Sequence, residues 1–237
     1  MTEVLHRVRA ALASEPRLDL HTFPIELSYS DGLLTLEGEV GDIAAKKLTL
    51  ERAAALPEVT AILDRLRVRP AQRMGDGEIR DLVRDALLQE PAFADFTIHR
   101  LLGERVETVR EPPDARGTIE LEVEDGAVTL NGQVPGLDDK RLAGALAWWV
   151  PGGRDVINGI AVEPPEDDSN DATLEAVRLA FEKDPFVDAS QIRVEVKNAL
   201  VRLTGVVPSE AERDMAEFDT WYVFGVDRVD NRIEFRR

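Results

Sequence analysis

One short phrase, Leu-x-Gly-x-Val, occurs three times in this chain and constrains its fold more than any other feature. The phrases are centred on Gly38, Gly132 and Gly205. Apolar residues recur at matching distances from each glycine over about sixty residues, which is the signature of an internal repeat. The sequence therefore predicts three small domains of one kind, each near the lower size at which a single hydrophobic core suffices.

Each copy starts with a helix pattern that a proline ends, and continues into a hairpin pattern. Two alternating runs flank a turn that reads Asp31-Gly32 in the first copy, Asp125-Gly126 in the second and Asn198-Ala199 in the third. Tight hairpin turns of this kind need positive φ at both central residues. The alanine therefore predicts a different or slightly strained turn in the third copy.

After each glycine the pattern predicts a second helix and then a last strand. Asp64, Asn158 and Asn231 occupy one equivalent position in that strand, as fixed structural positions of the repeat. The unit is helix, hairpin, helix, strand, which is an α+β arrangement. We place the copies at residues 1–70, 76–164 and 171–237, joined by polar segments that contain proline or glycine.

The second copy carries an insertion of about twenty residues, roughly residues 97–117, a length that is often functional. Its alternating valines allow either an extension of the hairpin or a loop, and its arginines are matched by acids, which indicates a solvated ion-pair face. The acidic segment of residues 163–171 is interpreted as a solvated spacer. A calcium loop is the alternative, but the segment lacks the required glycine and terminal glutamate.

Composition narrows the class of function. A formal net charge of −17 disfavours nucleic-acid binding and simple attraction to an anionic bilayer. The chain has no cysteine, which excludes disulfides and thiolate chemistry. The first residues resemble no secretory signal, and no stretch is apolar enough for a membrane span, so the sequence predicts a cytoplasmic protein.

The repeat resembles the BON (bacterial OsmY and nodulation) domain family. The resemblance rests on Leu-x-Gly-x-Val and on an ending that Gly225-Val226, Val229, Asn231 and Ile233 match well and that Val156, Asn158 and Ile160 match in part. It implies three αββαβ domains, each a three-stranded mixed sheet backed by two helices. It also implies bacterial roles in envelope maintenance, osmotic stress, phospholipid association or secretion pores, and one cytoplasmic relative senses potassium. None of these is catalysis.

The three glycines admit two interpretations. A ligand could approach the backbone closely there, or the first helix could cross the strand and leave no room for a side chain. Repetition in copies with different surfaces favours the structural interpretation.

Trp148 and Trp221 occupy equivalent positions near the end of the second helix. With Leu142 and Met215 taken as core, a step of 100° per residue puts both tryptophans on the polar face. An exposed tryptophan is a candidate anchor for a partner or a bilayer. The alternative is that each one packs between repeats.

No catalytic constellation is evident. The three histidines follow no metal-ligand spacing, no nucleophile motif or phosphate loop appears, and no cofactor or metal is expected. We therefore expect a non-enzymatic binding or scaffold protein, contacting a protein partner or a phospholipid surface in a stress or envelope-related role. The alternatives are a cytoplasmic, potassium-responsive stress protein and, less favoured, a hydrolase that uses acidic residues. The oligomeric state is not readable from the sequence.

Overall fold

Two helices and one small sheet make up the first copy. In the computed structural model, which describes residues 2–236, its elements are α1 (Thr2–Ala13), β1 (Glu26–Ser30), β2 (Leu33–Val40), α2 (Ile43–Ala54) and β3 (Ala61–Val68). β2 lies between an antiparallel β1 and a parallel β3. The inward residues of β2, Leu34 and Leu36, are fully buried with Val8 of α1. This is the mixed sheet with two helices that the resemblance implies.

The second copy has the same plan with a larger sheet. Its elements are α3 (Asp76–Gln89), β4 (Phe96–Leu102), β5 (Arg105–Arg110), β6 (Gly117–Glu124), β7 (Ala127–Val134), α4 (Leu137–Trp148), β8 (Asp155–Asn158) and β9 (Ala161–Val162). The sheet order is β5-β4-β6-β7-β8, with β9 also paired to β7. The inserted segment is therefore a β4–β5 hairpin, added through parallel pairing of β4 with β6. Arg100 and Glu107 pair across this hairpin, in line with the predicted ion-pair face.

The third copy returns to three strands. Its elements are α5 (Asn170–Lys183), β10 (Ile192–Lys197), β11 (Leu200–Val207), α6 (Glu210–Tyr222) and β12 (Arg228–Phe235). β11 lies between an antiparallel β10 and a parallel β12. An α+β fold of repeated domains is thus confirmed. Residues 1–69 form one compact unit and residues 70–237 another, so the second and third copies pack together.

The neighbouring strand is the reason why each repeated position must be glycine. The expected explanation, that the first helix crosses the strand there, is wrong. Gly38, Gly132 and Gly205 have φ of 146°, 110° and 151°. A Cβ at Gly132 would lie 2.1 Å from the backbone oxygen of Thr118, and one at Gly205 would lie 2.1 Å from that of Gln191. Any side chain would therefore collide with the backbone at the start of the first hairpin strand.

The hairpin turns adopt the predicted geometry in all three copies. Asp31, Asp125 and Asn198 each have φ of 50°, and the following residue is also positive. In the third copy that residue is Ala199, at φ 58°. An alanine in the left-handed region is strained by its Cβ. Of the two predicted outcomes, the turn is therefore strained and does not differ in type from the others.

The side chains of Asn158 and Asn231 connect the last strand of each copy to its second helix by hydrogen bonds. Asn158 donates to the carbonyl oxygen of Lys140 at 2.8 Å, and Asn231 donates to that of Arg213 at 3.2 Å. In the first copy this position is Asp64, which has no N–H to donate. The side chain of Lys46 compensates, because its Nζ lies 3.0 Å from the Asp64 carboxylate and 2.9 Å from the carbonyl oxygen of Leu66.

Candidate binding groove between the second and third copies

A groove of about 240 Å³ lies between α4 of the second copy and α5 of the third. Its apolar surface comes from both copies and includes Leu142, Ala145 and Trp149 on one side and Ala176 and Leu179 on the other. Neither copy alone forms this groove, because each contributes one wall.

Charged side chains surround the apolar surface. Asp138, Glu175 and Glu182 are exposed acids at the groove, and Arg178 is an exposed base that pairs with Glu175 at 3.1 Å. The exposed rim therefore carries more negative than positive charge.

The α4 wall is held by the acidic segment that joins the two copies. Helix α4 begins after Gly136, which has no side chain to cap it, and Glu166 instead accepts a hydrogen bond from the N–H of Leu137 at 2.8 Å. Asp168 pairs with the buried guanidinium of Arg141. The interpretation of this segment as only a solvated spacer is therefore wrong, because two of its acids bind α4.

Arg141 also connects the two copies. Its Nε donates to the carbonyl oxygen of Phe224 at 3.0 Å, and its Nη2 lies 3.2 Å from the hydroxyl of Thr173. Next to it, Lys140 lies 4.2 Å from the centre of the Phe224 ring, and burial lowers the pKa of Lys140. These contacts fix α4 against the third copy and keep the groove in shape.

Aromatic side chains at the end of α4 complete the contact between the second and third copies, which we call the joint. The rings of Trp148 and Tyr222 are stacked, with centroids 5.3 Å apart. The indole Nε1 of Trp149 donates to Oδ1 of Asp219 at 2.8 Å. Burial, followed by the neighbouring carboxyl of Asp184, raises the pKa of Asp219 to about 8, against the lowering effect of the Trp149 hydrogen bond.

The two tryptophans chosen from the sequence lie in different places from those expected. Trp148 is half-buried on Tyr222, so it packs between repeats, which was the alternative interpretation. The expectation that Trp221 is exposed is wrong, since only 2% of it is accessible. The reason is that α6 buries Ala216, Glu217 and Thr220, while Met215, the assumed core position, is half-exposed.

Trp221 and Asn231 are nevertheless brought together inside the third copy. Trp221 donates to one carboxylate oxygen of Glu217 at 3.2 Å, and Asn231 donates to the other at 3.0 Å. A buried carboxylate thus satisfies both groups. This makes Trp221 and Asn231 structural residues, away from the groove.

Neither a metal cluster nor a spanning helix is found in the described part of the chain. Within residues 2–236, no three His, Cys, Asp or Glu side chains converge as metal ligands would. Over the same range, no helix is both long and apolar enough to cross a bilayer.

Comparison with known proteins identifies the repeat. The BON domain profile matches residues 3–70, 105–164 and 169–237. UvrABC system protein C of Corynebacterium glutamicum strain ATCC 13032 is 29% identical over 194 residues, which cover 80% of this chain and 26% of that protein. The chain thus spans about a quarter of that relative's length.

Two solved structures of CdsD, a structural protein of the type III secretion system of Chlamydia trachomatis, also align with the chain. One is 14% identical with a TM-score of 0.25, covering 99% of this chain and 92% of that one. The other, the C-terminal domain, is 13% identical with a TM-score of 0.26, covering 100% and 99%. Scores this low support no argument about function. The profile matches, in contrast, span most of the sequence in three segments, and the chain belongs to the BON-domain family.

Proposed function

We propose that this chain is a non-enzymatic docking protein, and that its groove between α4 and α5 binds a basic, amphipathic segment of a partner protein in a stress or envelope-related role. Membership of the BON-domain family supports a non-catalytic scaffold or binding role, with protein or membrane-surface binding in general. The observation that carries the proposal is an apolar groove with an acidic rim, built jointly by two copies.

The size of the groove favours side chains of a partner over a free small molecule. Sites for drug-sized ligands start at roughly 300 Å³, whereas this groove measures about 240 Å³. It fits the tips of a few aliphatic side chains from one face of a helix, which is the usual way in which an amphipathic helix occupies a groove.

Charge favours a basic protein segment over an anionic lipid surface. Asp138, Glu175 and Glu182 surround the groove, and the whole chain has a formal charge of −17. Lysines beside the apolar face of an incoming helix would meet these acids, and complementary charge accelerates association and selects the partner. An anionic bilayer would be repelled by the same surface.

A titration of the full chain with model ligands tests this proposal. We expect a short amphipathic helical peptide of leucine and lysine to bind and to shift the NMR signal of the Trp149 indole. The matched peptide of leucine and glutamate and vesicles of phosphatidylglycerol should leave that signal in place.

Filling the groove should abolish the binding. Ala176→Trp puts a large side chain between the two walls and should lower the affinity for the leucine–lysine peptide by at least about tenfold. Ala10→Trp, on the exposed face of α1, is the control and should bind the peptide as the unmodified chain does. Equal affinity of both variants, or tighter binding to the vesicles than to the peptide, would contradict the proposal.

A further inference from the structure

An acid stands immediately before the proline that follows the first helix of every copy. The acids are Glu15, Glu90 and Asp184, and their side chains are only 7%, 10% and 8% exposed. Each accepts a hydrogen bond from the backbone N–H two residues later, at Arg17, Ala92 and Phe186. The carboxylate therefore fixes the turn after the helix, and a neighbouring side chain must stabilise it in a place with little water.

The acids of the first two copies each bind a cation, which comes from the same copy for Glu15 and from the third copy for Glu90. Arg52 of α2 binds Glu15 with Nη2 at 2.6 Å, and Lys183 of α5 binds Glu90 at 2.8 Å. A buried carboxylate with a hydrogen-bonded cation is the usual arrangement.

The third copy supplies a second carboxyl. Arg52 and Asp219 are equivalent residues, since each lies fourteen positions after the repeated glycine of its copy. By this equivalence Asp219 takes the place beside Asp184 that Arg52 takes beside Glu15, and the neighbouring Asp184 carboxyl contributes to the raised pKa of Asp219. A hydrogen bond between two carboxyls requires that one of them keep its proton. The adjacent cation, Lys183, is already paired with Glu90, the residue after α3.

The burial of Asp219 involves the second copy. Arg52, at the equivalent place in the first copy, is 46% exposed, whereas Asp219 is 0% exposed. Trp149, directly after α4, donates to Oδ1 of Asp219, and Oδ2 is buried without a hydrogen-bond partner. From α4 the pair thus faces a neutral indole. On α6 itself, the nearby acid Glu217 is occupied by Trp221 and Asn231.

We propose that Asp184 and Asp219 hold one proton between them, and that release of this proton to water loosens the contact between the second and third copies. While the proton is present, the hydroxyl of Asp219 donates to Asp184 and its other oxygen accepts from Trp149. When it is lost, two negative charges face each other in a site closed by α4. Moving α4 and Trp149 away admits water to both carboxylates, so ionisation favours the loosened state. This inference goes beyond the docking function and does not depend on it.

The direction of the pH effect follows from linkage. The pKa of Asp219 is raised to about 8 in the closed joint, whereas a hydrated aspartate titrates near its ordinary value of about 4. The closed joint therefore holds an extra proton between these two values. The contribution of this pair to the stability of the joint is therefore greatest at or below about pH 4. It decreases as the pH rises and does not change further above about pH 8.

The experiment is an NMR titration of the full chain between about pH 4 and pH 10, following the side-chain carboxyl carbons and the Trp149 indole. We expect one carboxyl of the pair to titrate near pH 8 and the Trp149 signal to move with the same midpoint. Titration of both carboxyls below about pH 5 would overturn the proposal. A Trp149 signal that stays constant while Asp219 ionises would overturn the link to the joint.

Two variants add a second readout. Asp219→Asn keeps the donor to Asp184 and the acceptor for Trp149 without a titrating proton, so urea unfolding of the 70–237 unit should lose the part of its pH dependence that this pair supplies. Asp188→Asn, an exposed acid in the same copy, is the control and should keep the dependence of the unmodified chain. The same pH dependence in Asp219→Asn as in the control would contradict the proposal. Because the carboxyl titration uses the unmodified chain, the proposal stays testable even if a variant fails to fold.

Discussion

The indole nitrogen of Trp149 lies 2.8 Å from Oδ1 of Asp219, a carboxyl in the next copy that is shielded from water. One hydrogen bond thus joins a wall of the groove to the proton-holding pair. A buried acceptor that loses its donor costs about 1–3 kcal/mol. The contact is therefore a sensitive place to separate the two copies without altering either core.

Trp149→Phe should weaken the joint and raise the pKa of Asp219 further. The indole hydrogen bond lowers this pKa, so its removal leaves burial and Asp184 to act unopposed. We expect the unfolding free energy of the 70–237 unit to fall by about 1–3 kcal/mol near neutral pH, measured by urea denaturation. Trp148→Phe is the control, because it keeps an aromatic ring against Tyr222. Equal losses in both variants would show that ring packing, and not the hydrogen bond, holds the joint.

Ala199→Gly should stabilise the third copy. Ala199 has φ of 58°, where its Cβ is strained and glycine is not. The relief of strain outweighs the greater freedom that glycine has in the unfolded chain, and we expect a gain of about 0.5–1 kcal/mol. Thermal unfolding would measure it. The reverse change at the equivalent turn residue of the second copy, Gly126→Ala, should destabilise, and a gain in both variants would contradict the explanation.

Gly205→Ala should be among the most damaging single-methyl changes in the chain. The added Cβ would lie 2.1 Å from the backbone oxygen of Gln191, at a φ of 151°. The backbone cannot move aside as a flexible side chain does, so we expect the free energy of unfolding to fall by about 3 kcal/mol or more. Gly77→Ala places the same methyl in α3 with no atom within 4 Å, and it should be neutral or stabilising in the same denaturation assay.

Lys46→Met should destabilise the first copy, and a second change should partly restore it. The variant leaves the carboxylate of Asp64 and the carbonyl oxygen of Leu66 without the ammonium that binds both. Since Asp64 is partly exposed, we expect the free energy of unfolding to fall by about 2 kcal/mol, which is less than for a fully buried pair.

Asp64→Asn in the Lys46→Met background recreates the asparagine of the other two copies. The carboxamide can then donate to the backbone of α2, as Asn158 does to Lys140. A double-mutant cycle by urea denaturation measures this coupling. Strictly additive losses would mean that the lysine and the aspartate act independently.

Features repeated within each copy were predictable from the sequence, because they depend on local geometry. The strained turn at Ala199 follows from residue type alone. Trp221 was misplaced because the helical wheel was centred on Met215, and one residue of rotation moves a side chain by 100°. The groove was not predictable, since its walls belong to different copies and their packing leaves no periodic signal. The sequence does contain one sign of the joint: Asp219 is an acid where the other copies have Arg52 and Leu146.

The hairpin of β4 and β5 changes which backbone groups each copy offers for strand addition. On that side of the sheet, β1 and β10 are edge strands, whereas their counterpart β6 is paired on both sides. In the second copy the edge strand on this side is β5, and its charged residues, such as Arg105 and Glu107, disfavour pairing with another chain. The backbone edge on this side of the repeat is thus open to an added strand in the first and third copies, and the third copy presents it together with its wall of the groove.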